Sequence, residues 1–528
     1  LARSLRNEWV ISAAGRVHLR DGQSGDFIKT ESLVVSLAEE PDGRVYPTRA
    51  DAAGDVRARQ ETTGIESEKL TVLFALEDDP AGGDRRLVRP WRLEAAGAVR
   101  VADRTEDGRI VARADTLSSN LQRRTARLRG KGSRLTQFSP EGKENVLAGE
   151  DILLRQDGES AVVTGPGSLR FWTDSDLSGN RTDRPRPVDL TWKRQLEYSG
   201  RQRRAVVRGD VRMATADDEL SCGALRVLFE KDRPDEPGPA SRPAGEAAVA
   251  ATAPAASTRP SADDALRTRG IAMVMADEEV KMASIRRDAD GLLLRRLLLR
   301  GEQVVYEAQA RRLNCIGAGT MVVEDYRPPE KGDDRDGPAA EVPSTVDRPS
   351  QSAFRWAKSM DLDQARRLVR MSGKVRMAHR SGAQVALKEK LNVPEWPELP
   401  PGRHTVLSCE RMLAQFAAPD DGPATATASA EAGAAGPRVG RLELFDARRD
   451  VNLKDGPRQV VCQRLLYERS KDIAIIHGHL AGNPPRNAVV YLQGEQGRTL
   501  NTWKSTKLIW HRKTDRIETA GVEAGGGR

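Results

Sequence analysis

The sequence predicts an all-β fold, an elongated protein built from repeated antiparallel units and interrupted by disordered insertions. Three observations predict it: a recurring phrase, an alternation of apolar and polar residues after each copy, and a composition poor in aromatic residues. In the phrase, a small or aliphatic residue stands seven positions after a bulky or polar one, and glycine follows four positions later. The copies are Tyr198-Ala205-Gly209, Leu362-Val369-Gly373, Tyr467-Ala474-Gly478 and Trp510-Ile517-Gly521. Such self-similarity is typical of repeat proteins, whose units bury their apolar faces only against neighbouring units.

Two copies of the phrase agree beyond it. Trp192 and Trp356 each precede their glycine by 17 residues, and Val-Arg-Met-Ala follows at 211–214 and at 375–378. We therefore interpret the two tryptophans first as core or edge anchors and second as ligand contacts. Further glycines in a similar register are expected at turns or bulges, where φ turns positive or two backbones come close. These are Gly15, Gly54, Gly97, Gly130 and Gly301.

Apolar residues alternate with polar ones after each glycine. Val17 and Leu19, for example, are followed by a polar turn and then by Leu33 and Val35. Alternation of period two is the signal of a strand with one apolar face, and the polar segments between strands indicate hairpin turns. The spacing from one strand to the next is even, so the same face stays buried. Residues 292–299 form a leucine-rich run with Arg295 and Arg296 at its centre, and we assign them to a strand as well.

The composition favours a thin β structure. Hydrophobic residues make up 38% of the chain, charged residues 31% and aromatic residues 4%, so the core depends on aliphatic side chains, methionine and alanine. The net charge of +8 indicates either an anionic partner or a solubilising surface. No segment approaches the roughly 20 apolar residues that span a bilayer.

The four cysteines, Cys222, Cys315, Cys409 and Cys462, are expected at small buried positions of the repeat. Three of them are followed three residues later by leucine or methionine, and alanine takes the same position at Ala114. A free cysteine behaves as a small hydrophobic residue. No C-x-x-C pair is present, so disulfides and metal sites are disfavoured.

Three segments rich in Pro, Ala, Thr or Gly interrupt the pattern at 233–268, 328–350 and 418–438. Such compositions bury too little apolar surface to order a chain, so we predict disordered linkers. The predicted repeat blocks are 1–232, 269–327, 351–417 and 439–528.

A search for catalytic constellations predicts no enzyme, no cofactor and no metal. His477-Gly478-His479 places two imidazoles on one strand face, but no carboxylate or cysteine follows at a familiar ligand spacing. Gly165-Pro166-Gly167 and Gly317-Ala318-Gly319 are predicted to be bulges, since neither opens a strand-to-helix phosphate loop. No G-x-S-x-G elbow is present.

Arginine doublets recur within the repeat units. Guanidinium groups are suited to pairing with phosphates, but charged turns that oppose aggregation explain the doublets equally well. Five of them are Arg123-Arg124, Arg203-Arg204, Arg286-Arg287, Arg311-Arg312 and Arg366-Arg367.

Segments 196–229 (LEYSGRQRRAVVRGDVRMATADDELSCGALRVLF) and 462–482 (CQRLLYERSKDIAIIHGHLAG) resemble the OstA-like β-jelly-roll family. The family comprises organic-solvent-tolerance and lipopolysaccharide-transport periplasmic proteins. The resemblance implies an open, V-shaped folded sheet, a β-jelly roll with a hydrophobic groove. It also implies end-to-end association with other such envelope proteins and a location in the periplasm or cell envelope of a Gram-negative-type bacterium. We expect no nucleic-acid partner.

The resulting hypothesis is a cell-envelope protein that binds or conducts an anionic, lipopolysaccharide-like lipid along this groove. The alternative is a structural or adhesive envelope repeat protein with a closed core and no lipid ligand, and the sequence leaves both open. The predicted lining residues are Val17, Leu19, Leu33, Val35, Leu70, Val72, Phe74, Val211, Met213, Leu225, Val227, Phe229, Val451, Leu453, Leu465 and Tyr467.

Overall fold

The computed structural model describes most of the chain as extended strands. The described residues are 2–3, 8–20, 26–40, 43–78, 86–105, 108–140, 142–155, 159–175, 181–229, 271–287, 291–326, 350–381, 404–417, 442–478, 487–493, 499–512, 514 and 516–520. Within them the only helical element is one short 3₁₀ turn, Arg469–Lys471, and no helix has the length and apolar character needed to cross a membrane. The predicted all-β fold is confirmed.

The strands are numbered in chain order. The first fifteen are β1 (Ala2–Arg3), β2 (Glu8–Arg20), β3 (Phe27–Glu39), β4 (Val45–Gln60), β5 (Thr63–Asp78), β6 (Arg86–Thr105), β7 (Gly108–Asn120), β8 (Thr125–Arg129), β9 (Arg134–Phe138), β10 (Glu144–Arg155), β11 (Ser160–Ser175), β12 (Arg181–Trp192), β13 (Gln195–Ser199), β14 (Arg204–Ala214) and β15 (Asp218–Phe229). The others are β16 (Ile271–Arg287), β17 (Leu293–Glu307), β18 (Arg312–Asp325), β19 (Ser350–Trp356), β20 (Ser359–Asp363), β21 (Leu368–Ser381), β22 (His404–Phe416), β23 (Leu442–Asp455), β24 (Arg458–Glu468), β25 (Ile473–His477), β26 (Ala488–Gln493), β27 (Thr499–Ser505), β28 (Lys507–His511) and β29 (Arg516–Ala520).

The chain divides into two units, and the strand pairings within each are antiparallel. Unit 1 comprises Leu1–Thr173, Arg186–Met213 and Ala224–Ala272. Unit 2 comprises Asp174–Pro185, Ala214–Gly223 and Met273–Arg528. The predicted linkers 233–268 and 418–438 lie outside the described residues. So does 328–350 except for Ser350, which is buried and begins β19, so that linker boundary moves by one residue.

The repeated sequence phrase corresponds to a hairpin. Its first two residues are cross-strand partners, as in Tyr198 with Ala205 and Leu362 with Val369. The same pairing joins Tyr467 to Ala474 and Trp510 to Ile517. A spacing of seven is therefore set by the turn between two paired strands. In the copies that end at Gly209 and Gly373, the glycine four residues later lies in the second strand with a positive φ.

A β-bulge interrupts strands of both units at the repeated glycine. In β4, Gly54 and Asp55 have φ angles of 82° and 42° and stand opposite the single residue Glu68 of β5. Positive φ recurs at Gly97-Ala98, Gly209-Asp210 and Gly373-Lys374. Glycine suits this backbone conformation, and a bulge bends its strand. The predicted role of these glycines is confirmed.

An inner row of apolar residues next to the bulges forms the core of each unit. Each member is the cross-strand partner of the next, and all are at most 8% exposed. In unit 1 the row is Leu33, Ala52, Leu70, Ala95, Leu117, Leu128, Ile152, Val163, Leu196 and Val207. In unit 2 it is Ala276, Val304, Cys315, Met360, Met371, Met412, Ala447, Leu465, Ile476 and Leu508.

The two predicted anchor tryptophans are buried against glycines of neighbouring strands. Trp356 is 1% exposed, and a Cβ added to Gly319 would lie 2.7 Å from its Cε2 atom. Trp192 is 3% exposed and covers Gly167 in the same way. The interpretation of both residues as core anchors is confirmed. The four cysteines are likewise free and buried, as predicted.

Candidate functional site

The predicted groove residues fall into three groups by exposure. Buried residues are Leu33, Leu70, Val211, Met213, Leu225, Val451 and Leu465. Half-buried residues are Val17, Val35, Val72, Phe74, Val227, Phe229, Leu453 and Tyr467. Leu19, on strand β2, is exposed. The buried members include inner-row residues, so the surface that a ligand could contact is formed by the half-buried ones.

An outer row lies two residues from the inner row on each strand and therefore on the same face. In unit 1 its members are half-buried, apart from the buried Ala161. They are Val35, Ala50, Val72, Leu93, Ser119, Ala126, Leu154, Ala161, Tyr198 and Ala205, each paired with the next. This row crosses the unit as a continuous strip with one polar side chain. We call it the unit 1 outer row.

The unit 2 outer row is better covered. Six members are buried and four are half-buried, Leu362 and Phe445 among the latter. The row is Val274, Tyr306, Leu313, Leu362, Val369, Ala414, Phe445, Tyr467, Ala474 and Trp510. Unit 1 thus offers more accessible apolar surface in this row than unit 2.

A pocket of about 220 Å³ lies in unit 2 between strands β15, β16, β17 and β18. Met282, Leu298 and Val322 line it, together with the charged residues Glu219, Lys281 and Arg300.

The opposite face of unit 1 carries paired charges. Arg49 donates two hydrogen bonds to Asp51, at 2.6 and 2.8 Å, and Arg127 Nε donates to Asp151 at 2.7 Å. These bonds hold the pKa of Asp51 and the pKa of Asp151 below the ordinary value. Because these arginines are already engaged, the opposite face offers fewer free cations than the composition suggests.

A buried carboxylate in unit 2 is held in the same way. Asp446 is 5% exposed and accepts hydrogen bonds from Arg448 at 2.6 Å and from Arg464 at 2.9 Å. Burial acts to raise the pKa of Asp446, but the two arginines lower it below its ordinary value. The cluster carries a net charge of +1 and ties β23 to β24.

Four of the five arginine doublets lie at hairpin turns, whereas Arg286-Arg287 ends strand β16. In each of the four turns one arginine has a left-handed backbone. These residues are Arg124, Arg203, Arg311 and Arg367, with φ between 48° and 53°. Sequence reasoning found the doublets but had no signal for this conformation.

No group of three or more potential metal ligands comes together among the described residues. Burial lowers the pKa of His477, and His479 lies outside the described part of the chain. Gly165 and Gly317 have φ of 87° and lie at register shifts between strands, so the prediction that they mark bulges is confirmed.

Comparisons with known proteins add little. No family model and no curated protein matches the chain. Among solved structures, the TcdB2-TccC3-Cdc42 and TcdB2-TccC3 crystal structures match at 7% identity with a TM-score of 0.08, over 97% of this chain and 32% of theirs. The Photorhabdus luminescens Tc holotoxin pore matches at 7% identity with a TM-score of 0.08, over 96% of this chain and 33% of that one. The chain spans about a third of the length of these proteins, and similarity this weak carries no argument.

Proposed function

We propose that the apolar face of each unit binds the acyl chains of an anionic, lipopolysaccharide-like lipid in the cell envelope. The observation that carries the proposal is the half-buried outer row of unit 1. It extends across ten strands beside a fully buried inner row. A strip of this kind lets a ligand bury apolar surface without displacing the core.

The energetics favour a lipid as the ligand. Each methylene transferred from water to an apolar surface contributes about 0.8 kcal/mol. An acyl chain of a dozen methylenes therefore gains roughly 10 kcal/mol before the entropic cost of ordering it. The outer row supplies apolar contacts on successive strands, which suits a long flexible chain better than a compact ligand.

The proposal is tested by placing a photoreactive benzoylphenylalanine at Val72 or at Leu73. Val72 belongs to the outer row, whereas Leu73 is an adjacent half-buried apolar residue on the opposite face. We expect lipopolysaccharide to crosslink to the protein only when the probe is at position 72. Equal labelling at both positions, or labelling at neither, would support the closed-core structural repeat protein instead.

We also propose end-to-end association with a second envelope β-jelly-roll protein through β2. Strand β3 pairs along β2, but β1 pairs with it only at Trp9 and Val10, so the described residues leave most of its other edge open. The exposed apolar residues Ile11 and Leu19 lie on this strand. A free edge of this kind accepts an additional strand. A second copy of this chain is one such partner. Copies carrying Ile11→Cys should then form disulfide-linked dimers, whereas copies carrying the exposed control Arg366→Cys should not.

A further inference from the structure

Two neighbouring hairpin turns of unit 2 place unpaired arginines side by side. The turns are 308–311, between β17 and β18, and 364–367, between β20 and β21. They are directly linked, because the Gln364 N–H donates a hydrogen bond to the carbonyl of Arg311 at 3.0 Å. Adjacent hairpins in one sheet lie about 10 Å apart, which is two strand spacings. Arg311 and Arg367 occupy the same final position in the two turns.

The backbone of both arginines is in a region that favours glycine. Their φ angles are 48° and 53°, and a left-handed conformation costs a residue with a Cβ about 1–2 kcal/mol relative to glycine. The conformation has a structural role, since the carbonyls of Arg311 and Arg367 accept hydrogen bonds from Gln364 and Phe416. Glycine would place the same carbonyls at a lower cost in free energy. The backbone conformation therefore does not explain why arginine stands at both positions.

The two side chains are also electrostatically available. Arg311 and Arg367 are exposed, and neither forms an ion pair with any described residue. Their neighbour Arg366 is 76% exposed and only loosely placed near Asp363, at 3.7 Å. Arg312, by contrast, is engaged by Asp361 through two hydrogen bonds of 2.7 and 2.9 Å. The turns therefore present three cations, and the carboxylates of Glu307 and Asp363 flank them.

These cations stand beside the apolar outer row. Leu313 and Val369 each follow the left-handed arginine of their turn by two residues, and the half-buried Leu362 pairs with both. Two residues of extended chain span about 7 Å, well within the reach of an arginine side chain. An amphiphile on the outer row would therefore bring its polar end to this pair of turns.

We propose that Arg311, Arg366 and Arg367 form a binding site for the phosphate groups of the lipid headgroup. Guanidinium groups bind phosphate through paired, charge-assisted hydrogen bonds. This suits Arg311 and Arg367, which form no ion pair with described residues, and Arg366, whose contact with Asp363 is long at 3.7 Å. This assignment rests on the proposed lipid function and adds the chemical group that the lipid must carry. A soluble phosphate compound offers the same chemistry, and the test separates the two sources.

The test uses the full chain and the double variant Arg311→Gly/Arg367→Gly. Because glycine relieves the left-handed backbone, we expect an unchanged or higher melting temperature, so lost binding cannot be attributed to misfolding. Arg449→Gly is the matched control: Arg449 is an exposed unit 2 arginine with φ of 64°, located at a bulge instead of a turn. The control removes the same type of charge and relieves the same type of strain.

Affinity is measured by displacement of fluorescent lipopolysaccharide, with untreated and phosphatase-treated lipopolysaccharide as competitors. We expect the double variant to lose about tenfold in affinity per arginine for the phosphorylated lipid only, and Arg449→Gly to bind as the wild type does. An equal loss in Arg449→Gly, an equal loss for the dephosphorylated lipid, or no loss would overturn the assignment.

Two further arms separate this assignment from the proposed function. If neither lipid binds the wild-type chain, the lipid function fails. If the wild type then binds pyrophosphate and the double variant does not, the three arginines still form a phosphate site, but its ligand is a soluble phosphate compound. If the wild type does not bind pyrophosphate, the phosphate site is overturned as well. Equal competition by single-stranded RNA would indicate a general polyanion surface and would also overturn the assignment.

Discussion

Replacing Gly97 with alanine tests whether the fold depends on glycine at the β-bulge. Gly97 has φ of +81°, and a Cβ built on it would lie 2.6 Å from the Cβ of Glu68 on the neighbouring strand. The left-handed backbone costs alanine about 1–2 kcal/mol. The overlap joins two Cβ atoms, neither of which can rotate away, and adds about 1–3 kcal/mol. We therefore expect Gly97→Ala to lower the free energy of unfolding of this region by about 2–5 kcal/mol.

The measurement is hydrogen–deuterium exchange of peptides from β5 to β7, supported by urea denaturation of the full chain. Gly64→Ala in β5 is the control, because its nearest atoms are 3.9 and 4.0 Å away and its φ is not positive. It should change local stability by less than about 1 kcal/mol. Adding Glu68→Gly to Gly97→Ala should recover the steric part of the cost but not the backbone part. If Gly97→Ala is as stable as Gly64→Ala, the argument from the bulge is wrong.

Three further predictions follow from the core and its charges. Burial raises the pKa of all four cysteine thiols to about 12. Ellman's reagent at pH 8 should therefore react with none of them until the protein unfolds. Full reaction in the native state would contradict their burial. Gly319→Ala should destabilise unit 2 by about 1–3 kcal/mol, because the added Cβ overlaps Trp356. Gly301 is the cross-strand partner of Gly319, and a Cβ added there would have no atom nearer than 3.9 Å. Gly301→Ala should therefore leave the melting temperature nearly unchanged in the same thermal melts. The stabilisation from Asp446 should be fully present above pH 3.8 and decline as the pH falls below that value, because the pKa of Asp446 is lowered in the folded protein. Asp446→Asn should remove this part of the pH dependence of the free energy of unfolding. An unchanged pH dependence in the variant would refute the assigned ion cluster.

Much of the fold could be predicted because hairpin geometry leaves a fixed spacing in the sequence. The seven-residue interval between Tyr198 and Ala205 exists because the two residues are cross-strand partners. The next interval ends at Gly209, where the strand bends at positive φ. Turn length and backbone conformation are local properties, so a single sequence reveals them without knowledge of tertiary contacts.

Bulges without glycine could not be predicted from that pattern. Glu278 and Glu279 in β16 have φ of 67° and 52°, and Arg449 and Asp450 in β23 have 64° and 49°. Each pair stands opposite one residue of the next strand, as the glycine-led bulges do. Neighbouring strands impose the conformation there against the local preference of the side chains, so the sequence carries no sign of it.

The extent of burial was equally beyond the sequence. Leu70 and Val72 lie on the same face of β5 and look equivalent in the alternating pattern, yet Leu70 is 3% exposed and Val72 is half-buried. Alternation identifies the face, whereas the depth to which each residue of that face is covered depends on the tertiary structure around it.

This difference in burial separates the residues that stabilise the fold from those available to a ligand. Inner-row residues such as Ile152 and Met360 are at most 1% exposed, so a ligand could reach them only by opening the strands at the bulges. Opening the strands would lose packing that stabilises each unit, and the free energy of binding would be reduced by the free energy of the lost packing. An outer-row residue such as Leu93 already contacts solvent and can be covered without such a cost. On the proposed function, lipid affinity should therefore depend on the outer row and folding on the inner row, although both rows come from the same face of the same strands.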